Sequence, residues 1–240
     1  MIGCIIQARL GSTRLPGKVM KKIDGKNPVL YYVLKQVKHS QILKKIIVAT
    51  TDNTNDDEIV DYLKYIKIEH YRGNEKDVLD RFYQCAKKFS LTTIVRITSD
   101  NPLVDSLIID EMLYEFQNNN YDYMTNAIPR TFPYGTEVEI FSFNALEKAW
   151  RNPKNEKEKE HVTLHFINNP EKFKIKYFTY TKNLSFLRWT LDENEDFILI
   201  QKIIEEIKKT PIRLKDILQL YHKNPELFKI NKNVKHKVID

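Results

Sequence analysis

Short apolar runs alternate with amphipathic stretches through the first half of this 240-residue chain, and no other feature constrains the fold as strongly. The runs have the length of β-strands, and the stretches between them repeat apolar residues at helical spacing. This alternation predicts an α/β fold in which a mostly parallel sheet is flanked by helices. The predicted strands of this half are residues 2–7, 45–50, 67–71, 93–98 and 121–125.

The second half of the chain is less regular. Residues 128–185 interrupt the alternating pattern, and we interpret them as a segment inserted into a single domain that spans residues 1–210. Residues 211–240 are predicted to form a docked helix followed by a basic tail. The strands predicted here are residues 136–141 and 172–179, and the predicted helices are residues 142–151, 156–168, 193–208 and 214–223.

A loop rich in glycine and cations follows the first predicted strand directly. Its sequence over residues 7–18 is QARLGSTRLPGK. Glycines allow backbone N–H groups to approach phosphate oxygens, and the cations neutralise the phosphate charge. The sequence matches neither GxxxxGK[ST] nor GxGxxG. The loop therefore predicts a polyanion-binding site of another type, and a solvated basic loop is the alternative.

Two aspartates each end an apolar run and could face this loop. Asp100 follows the fourth predicted strand, and Asp192 stands at the end of residues 187–192, just before a predicted helix. Ligands of α/β sheets bind at the carboxyl ends of the strands, near the point where the strand order reverses. Mg²⁺ binds one or two carboxylates together with phosphate oxygens, so the pair predicts a magnesium site. The alternative is that either aspartate caps a helix.

The remaining features mainly exclude classes of protein. His161 and His165 are four residues apart, but no third ligand stands near them, so a zinc site is not expected. Cys4 and Cys85 lie in apolar segments, which favours buried free thiols. No apolar run could span a membrane and no signal peptide is evident, so we expect a cytoplasmic protein without membrane contact. The net charge of +7 leaves a basic nucleic-acid-binding protein as a remote alternative, although no such motif is present.

Further motifs follow the loop in a fixed order along roughly 200 residues. Together with the loop, they resemble the cytidylyltransferases that activate 2-keto-3-deoxy sugar acids, which form the acylneuraminate and 3-deoxy-manno-octulosonate cytidylyltransferase family. The spore-coat polysaccharide, or SpsF-like, type is the most similar. The motifs are VATTDN at 48–53, YRG at 71–73, DVLDR at 77–81, VRITSDNPLVD at 95–105, PYGTEVEIF at 133–141, EHVT at 160–163 and LRWTLD at 187–192.

The resemblance implies a nucleotide-diphospho-sugar transferase fold, a homodimer, and Mg²⁺-dependent transfer of CMP from CTP with release of pyrophosphate. The expected acceptor is an acidic keto sugar used in surface polysaccharide biosynthesis. Ser99 and Asn101 depart from the pattern, which often has glycine and cysteine there, and Thr136-Glu137 replaces a frequent Leu-Asp. These departures leave the acceptor open. Another nucleoside triphosphate or a non-sugar acceptor is the alternative.

The candidate site residues follow from this resemblance and from the polar clusters. The inserted segment is expected to carry acceptor specificity and part of the dimer contact. For Glu137 and Glu139 the alternative is a solvated strand face. The catalytic candidates are Arg14, Lys18 and Asp100, and the metal candidates are Asp100 and Asp192. The nucleotide-binding candidates are Ala8, Arg9, Gly11, Ser12, Arg14, Lys18, Arg72 and Asp80, and the acceptor-binding candidates are Glu137, Glu139, His161 and Arg188.

Overall fold

The computed structural model describes residues 1–235 of the chain. Its strands form one mixed, mostly parallel sheet with the order β3-β2-β1-β4-β6-β5-β7, which confirms the predicted fold class. The strands are β1 (Ile2–Gln7), β2 (Lys45–Thr51), β3 (Glu69–Gly73), β4 (Thr93–Thr98), β5 (Tyr123–Thr125), β6 (Glu139–Ser142) and β7 (Ile175–Tyr177).

Helices cover both faces of the sheet. Short 3₁₀ helices occur at Lys18–Met20, Thr54–Asp56, Pro170–Lys172 and Pro225–Lys229. The α-helices are α1 (Val29–Val37), α2 (Asp57–Tyr65), α3 (Val78–Lys88), α4 (Ser106–Asn119), α5 (Phe143–Arg151), α6 (Glu156–Glu160), α7 (Leu164–Asn168), α8 (Asn194–Ile207) and α9 (Leu214–Lys223). Within residues 1–235, none of these helices is long and apolar enough to cross a membrane.

Strand β1 lies at the centre of the sheet, and its two faces pack into different cores. It pairs in parallel with β2 on one side and with β4 on the other. Cys4 and Ile6 face a core formed with α1, α2, α4, α8 and α9, whereas Ile5 faces a core formed with α3, α5 and α7. Burial on both faces explains why this strand reads as a continuous apolar run. The chain order reverses at β1 and β4, so their carboxyl ends meet at the switch point.

Both cysteines are buried free thiols, as predicted. Burial raises the pKa of the Cys85 thiol to about 12 and raises that of Cys4 further. Both groups therefore remain neutral thiols at physiological pH and act as small apolar core residues.

The predicted inserted segment, residues 128–185, contributes strands to the main sheet. Strand β6 pairs antiparallel with both β4 and β5, and β7 pairs in parallel with β5. The segment is therefore integral to the sheet. Residues beyond 210 also join the same fold, because Ile212, Leu214 and Ile217 lie in the core with α8.

Three predicted elements differ most from the structure. The helix expected over 156–168 is interrupted after α6, because His161 adopts an extended backbone and the turn places Val162 in the core. The strand expected from residue 136 begins only at Glu139, since Gly135 has a φ of +102° and forms a turn that Glu137 closes through a bond from the Gly135 N–H. The strand expected over 172–179 is shortened by the 3₁₀ helix Pro170–Lys172 before it.

Candidate active site

A cleft of about 490 Å³ opens where the carboxyl ends of β1 and β4 meet. One wall is the loop that follows β1, residues 8–18, which we call the cation loop. The other wall is the chain that leaves β4, together with the segment before α8. The cleft is lined by Gln7, Arg9, Gly11, Ser12, Thr13, Arg14, Lys18, Val19, Thr98, Ser99, Asp100 and Asp192.

The cation loop is held in place by a buried carboxylate. Asp56, only 2% exposed, accepts a hydrogen bond of 2.7 Å from the Leu10 N–H and further bonds from the Thr50 and Thr51 hydroxyls. The Gly17 N–H donates to Leu10 O at 3.1 Å and closes the loop. Gly17 has a φ of +68°, a left-handed conformation that glycine adopts without strain. The loop is therefore fixed at both ends while its centre faces the cleft.

The ammonium group of Lys18 joins the two predicted metal-binding aspartates. Lys18 Nζ lies 3.2 Å from Asp100 Oδ2 and 3.0 Å from Asp192 Oδ1, and it donates to Leu191 O at 2.5 Å. Burial alone would lower the pKa of Lys18, but the charges of the two carboxylates outweigh burial and raise it. Lys18 is therefore a fixed positive charge, and two segments remote in sequence meet at it.

Asp192 is surrounded by cations. Besides Lys18, its carboxylate contacts Arg14 NH2 at 2.8 Å and Arg188 NH2 at 2.8 Å. Burial would raise the pKa of Asp192, but the charge of Lys18, its hydrogen bond and the two arginines lower it to about 2. The Asp192 side chain is thus an ionised carboxylate at neutral pH. It does not cap α8, because that helix is capped by Glu193, with Asp196 as the reciprocal partner.

Asp100 also does not act as a helix cap. The N-cap of α4 is Asp105, which accepts a bond of 2.9 Å from the Leu107 N–H. The backbone of Asp100 is instead tied to the other wall of the cleft, because the Leu191 N–H donates to Asp100 O at 2.8 Å. The helix-capping alternatives for both Asp100 and Asp192 are therefore wrong.

The donor set fits Mg²⁺ only in combination with substrate phosphates. Two carboxylates lie within about 3 Å of a single ammonium group, so their oxygens are near one another. Among residues 1–235, no group of three or more histidine, cysteine or acidic side chains could hold a metal ion alone. Mg²⁺ typically takes one or two carboxylates and completes its shell with phosphate oxygens and water. Asp100 and Asp192 are suited to that mode of binding.

The predicted nucleotide-binding residues divide into two groups. Arg9, Gly11, Ser12, Arg14 and Lys18 line the cleft. Ala8, Arg72 and Asp80 do not line the cleft. The side chain of Ala8 is buried, and the backbone N–H of Ala8 extends the pairing of β1 by donating to Ala49 O.

Arg72 and Asp80 instead connect structural elements. Arg72 donates to the backbone oxygens of Thr51 and Asn53 and so supports the turn after β2. Asp80 Oδ1 accepts a bond of 2.8 Å from Trp150 Nε1, which joins α3 to α5. The structure therefore supports a structural role for both side chains.

The predicted acceptor-binding residues are not arranged as the sequence suggested. Glu139 is buried and accepts bonds from Arg96 and Tyr123, so it is neither a solvated residue nor one that faces a sugar. Arg188 is not a spare cation, because its guanidinium is buried against Asp192 and Asp196. These two assignments are corrected for the same reason: each charge is already paired inside the protein.

Glu137 and His161 also lie outside the lining of the cleft. Glu137 accepts bonds from the Asn101 amide at 3.0 Å and from Arg130. It retains 22% side-chain exposure and is tied to the chain that leaves β4. His161 is the half-buried C-cap residue of α6.

Sequence reasoning missed several lining residues. Gln7, Thr98 and Ser99 face the cleft at the ends of the two central strands. A signal was available for Gln7 and Thr98, because each is the polar last residue of a predicted central strand, and a strand end at the switch point opens into the site.

Solved structures with the same architecture define the class of protein. A cytidylyltransferase from Leptospira borgpetersenii superimposes with a TM-score of 0.91 at 31% identity and covers 100% of this chain and 99% of its own. A CMP:2-keto-3-deoxy-manno-octonic acid synthetase complexed with CTP shares the fold with a TM-score of 0.66 at 15% identity, over 85% of this chain and 98% of its own. The protein is therefore a nucleotidyltransferase enzyme of the nucleotide-diphospho-sugar transferase fold.

The family follows from the sequence. The model of the cytidylyltransferase family matches residues 3–235, and the chain belongs to that family. Protein MJ1063 of Methanocaldococcus jannaschii is 39% identical over 97% of this chain and 95% of its own. The spore coat polysaccharide biosynthesis protein SpsF of Bacillus subtilis is 31% identical over 92% of this chain and 94% of its own. The resemblance to SpsF-like cytidylyltransferases is thus confirmed.

Proposed function

We propose that this protein transfers CMP from CTP to an acidic keto sugar, releases pyrophosphate and requires Mg²⁺, in the biosynthesis of a surface polysaccharide. One observation carries the proposal. The ammonium group of Lys18 lies between Asp100 and Asp192 at the end of a loop rich in glycine and arginine. Membership of the cytidylyltransferase family supports the choice of CTP, and the similarity to SpsF supports the polysaccharide context.

The triphosphate binds along the cation loop. Arg9 and Arg14 are partly exposed, with 44% and 34% of their side chains accessible, so both can reach a ligand in the cleft. Ser12 adds a hydroxyl group, and the glycine at position 11 leaves backbone N–H groups accessible to phosphate oxygens. Asp56 holds Leu10 and thereby keeps these groups in position before the substrate arrives.

In the reaction, a hydroxyl oxygen of the acceptor attacks the α-phosphorus of CTP. A new P–O bond forms as the bond to the bridging oxygen of the β-phosphate breaks, pyrophosphate leaves with that electron pair, and the proton of the acceptor hydroxyl group passes to water. Lys18 stabilises the negative charge that develops on the phosphate oxygens, and Asp100 and Asp192 fix its ammonium group. When bound, Mg²⁺ would neutralise phosphate charge at the two carboxylates.

A screen for pyrophosphate release tests the proposal. The purified protein is incubated with each of the four ribonucleoside triphosphates, Mg²⁺ and a panel of keto-sugar acids and sugar phosphates, and mass spectrometry identifies the product. We expect release only with CTP and a keto-sugar acid, with a CMP-sugar as product. Equal rates with UTP, or turnover of sugar phosphates alone, would contradict the proposed substrate class.

The metal requirement is tested separately. We expect EDTA to abolish turnover and added Mg²⁺ to restore it. Asp100→Asn keeps the shape of the side chain but removes its charge, so we expect lower activity that raised Mg²⁺ only partly restores. Turnover that persists in EDTA, or an Asp100→Asn protein with the Mg²⁺ dependence of the parent protein, would contradict the metal assignment.

We also propose that the protein is a homodimer, as the resemblance to the family implies. Three large apolar side chains are exposed within or beside residues 128–185, namely Ile128, Tyr177 and Phe186. Exposed apolar side chains of this size suit a contact between copies. Sedimentation equilibrium should give twice the chain mass of 28.6 kDa, and a mass that stays monomeric at high concentration would contradict this proposal.

A further inference from the structure

Four polar side chains form a row across one face of the sheet. Gln7, Arg96, Glu139 and Tyr123 belong to the adjacent strands β1, β4, β6 and β5. Arg96 NH2 donates to Gln7 Oε1 at 3.0 Å. Arg96 NH1 and the Tyr123 hydroxyl group both donate to the Glu139 carboxylate. We call these four side chains the polar row.

The polar row runs from the core to the cleft. Tyr123 is fully buried, Glu139 is 9% exposed and Arg96 retains 15% side-chain exposure. Gln7 is half-buried and lines the cleft. A buried ion pair contributes little to stability compared with apolar residues of the same volume. Stability alone therefore gives a weak reason for this row, whereas its contact with the cleft suggests a functional one.

The row fixes which side of the Gln7 amide faces the ligand. An arginine side chain can only donate hydrogen bonds, so the atom of Gln7 that meets Arg96 must be the carbonyl oxygen Oε1. The NH₂ group is then the polar group of Gln7 left for the cleft. Among residues 1–235, no hydrogen-bond acceptor is found for Gln7 Nε2. Gln7 thus offers an oriented, uncharged hydrogen-bond donor to the contents of the cleft.

We infer that Gln7 is a specificity-determining residue that donates a hydrogen bond to an oxygen of the sugar acceptor, and that Arg96 and Glu139 are positioning residues for it. This inference rests on the proposed function. The cations of the loop serve the phosphates, and a neutral donor adds nothing to phosphate neutralisation. Gln7 also lies directly opposite Thr98 on β4, two residues before Asp100. A sugar that reacts beside Asp100 would therefore come within reach of Gln7.

Substitutions of Gln7 separate the two substrates. Gln7→Leu removes the donor, and Gln7→Glu keeps the bond from Arg96 while presenting an acceptor oxygen to the cleft in place of N–H. With the acceptor found in the screen, we expect Gln7→Leu to raise the acceptor KM about tenfold. We expect Gln7→Glu to lower kcat/KM for the acceptor about a hundredfold. The dissociation constant of CTP, measured by calorimetry without acceptor, should stay within about twofold of the parent value.

Each result has a defined consequence. A CTP dissociation constant that rises as much as the acceptor KM would place Gln7 in the nucleotide site, and unchanged constants for both substrates would remove its role altogether. Either result, in a protein whose parent form is active, overturns this inference and leaves the proposed function intact. A parent protein that makes no CMP-sugar with any keto-sugar acid would instead overturn both.

A double-substitution test separates positioning by Arg96 from a structural role. Arg96→Lys keeps a charge near Glu139 but loses the fork that reaches Gln7, so the acceptor KM should rise while kcat changes little. If Arg96 acts through Gln7, adding Arg96→Lys to Gln7→Leu should raise KM no further. Additive effects on KM, or a change in melting temperature without any change in KM, would show that Arg96 serves stability only.

Discussion

The cation loop and the acidic segment at residues 133–139 both carry charged side chains near the cleft, but of the two only the cation loop contributes them to the lining of the cleft. In the loop, Arg9 and Arg14 line the cleft and stay partly exposed, although Arg9 also contacts Glu75 and Arg14 contacts Asp192. In the acidic segment, Glu137 and Glu139 are each paired with an arginine of the same fold. A charged residue near a site therefore indicates ligand binding when its side chain lines the cleft.

The strongest test of the cation loop is the removal of its central charge. Lys18→Ala should lower kcat by a hundredfold to a thousandfold, about 3 to 4 kcal/mol, because one preorganised electrostatic donor is lost. The measurement is steady-state pyrophosphate release under saturating CTP. Lys26→Ala is the matched control, since Lys26 is exposed and outside the cleft lining, and it should retain full activity. Turnover of Lys18→Ala equal to that of the control would contradict the assignment.

A charged side chain that is paired inside the protein should affect stability rather than activity. Arg188→Met leaves the buried carboxylate of Asp196 without its main cationic partner. We expect the free energy of unfolding at pH 7 to fall by about 3 kcal/mol, as when one partner of a buried pair is removed. Urea denaturation followed by circular dichroism measures this change. An Arg188→Met protein that is fully stable but binds the sugar acid more weakly would support the prediction from the sequence that Arg188 binds the acceptor.

The sequence predicted the cation loop better than the acidic segment at residues 133–139. The reason is the separation in sequence between the residues that interact. Strand β1 and the cation loop are adjacent in sequence, so composition and order alone indicate a phosphate site after a buried strand. The pairing of Arg96 with Glu139 spans 43 positions and requires β6 to lie antiparallel beside β4. A prediction of alternating parallel strands gave no means to find that neighbour.

The same reasoning applies to the ends of the elements. Strands β1 and β4 and helix α9 were predicted with the observed bounds because each carries a strong local pattern. The interruption between α6 and α7 has no comparable local signal. It arises from tertiary contacts, since Val162 and Phe166 enter the core and buried Glu158 binds His165 at 2.8 Å.

The carboxylate of Asp192 lines the cleft and is also paired with cations of the fold, so its titration provides a third test. Its pKa is about 2 in the folded protein, below the ordinary 3.8. A carboxyl pKa that is lowered on folding stabilises the folded state at pH values above the ordinary pKa. This contribution is lost as the pH falls towards 2. The expected size is about 2 kcal/mol. The free energy of unfolding is measured at pH 6 and at pH 2 for both proteins. Its drop from pH 6 to pH 2 should be about 2 kcal/mol smaller in Asp192→Asn than in the parent protein, and identical pH profiles would contradict this prediction.

The smallest expected effect concerns Asp80, for which the resemblance and the structure disagree. The resemblance places Asp80 near the base, whereas the structure shows its carboxylate bound to Trp150 Nε1 at 2.8 Å and to Gln84. Asp80→Ala should therefore lower the free energy of unfolding by about 1 kcal/mol, the usual contribution of one such bond, and leave the CTP dissociation constant within about twofold.

Gln84→Ala provides the matched control for Asp80→Ala. It removes the weaker bond of 3.1 Å and keeps the contact between Asp80 and Trp150, so its effect on stability should be smaller and its effect on CTP binding equally absent. Calorimetric titration with CTP, paired with urea denaturation, measures both quantities on the same preparations. Tenfold weaker CTP binding in Asp80→Ala with unchanged stability would return Asp80 to the nucleotide site. It would also show that the side chain of Asp80, although bonded within the fold, can be released to bind a ligand.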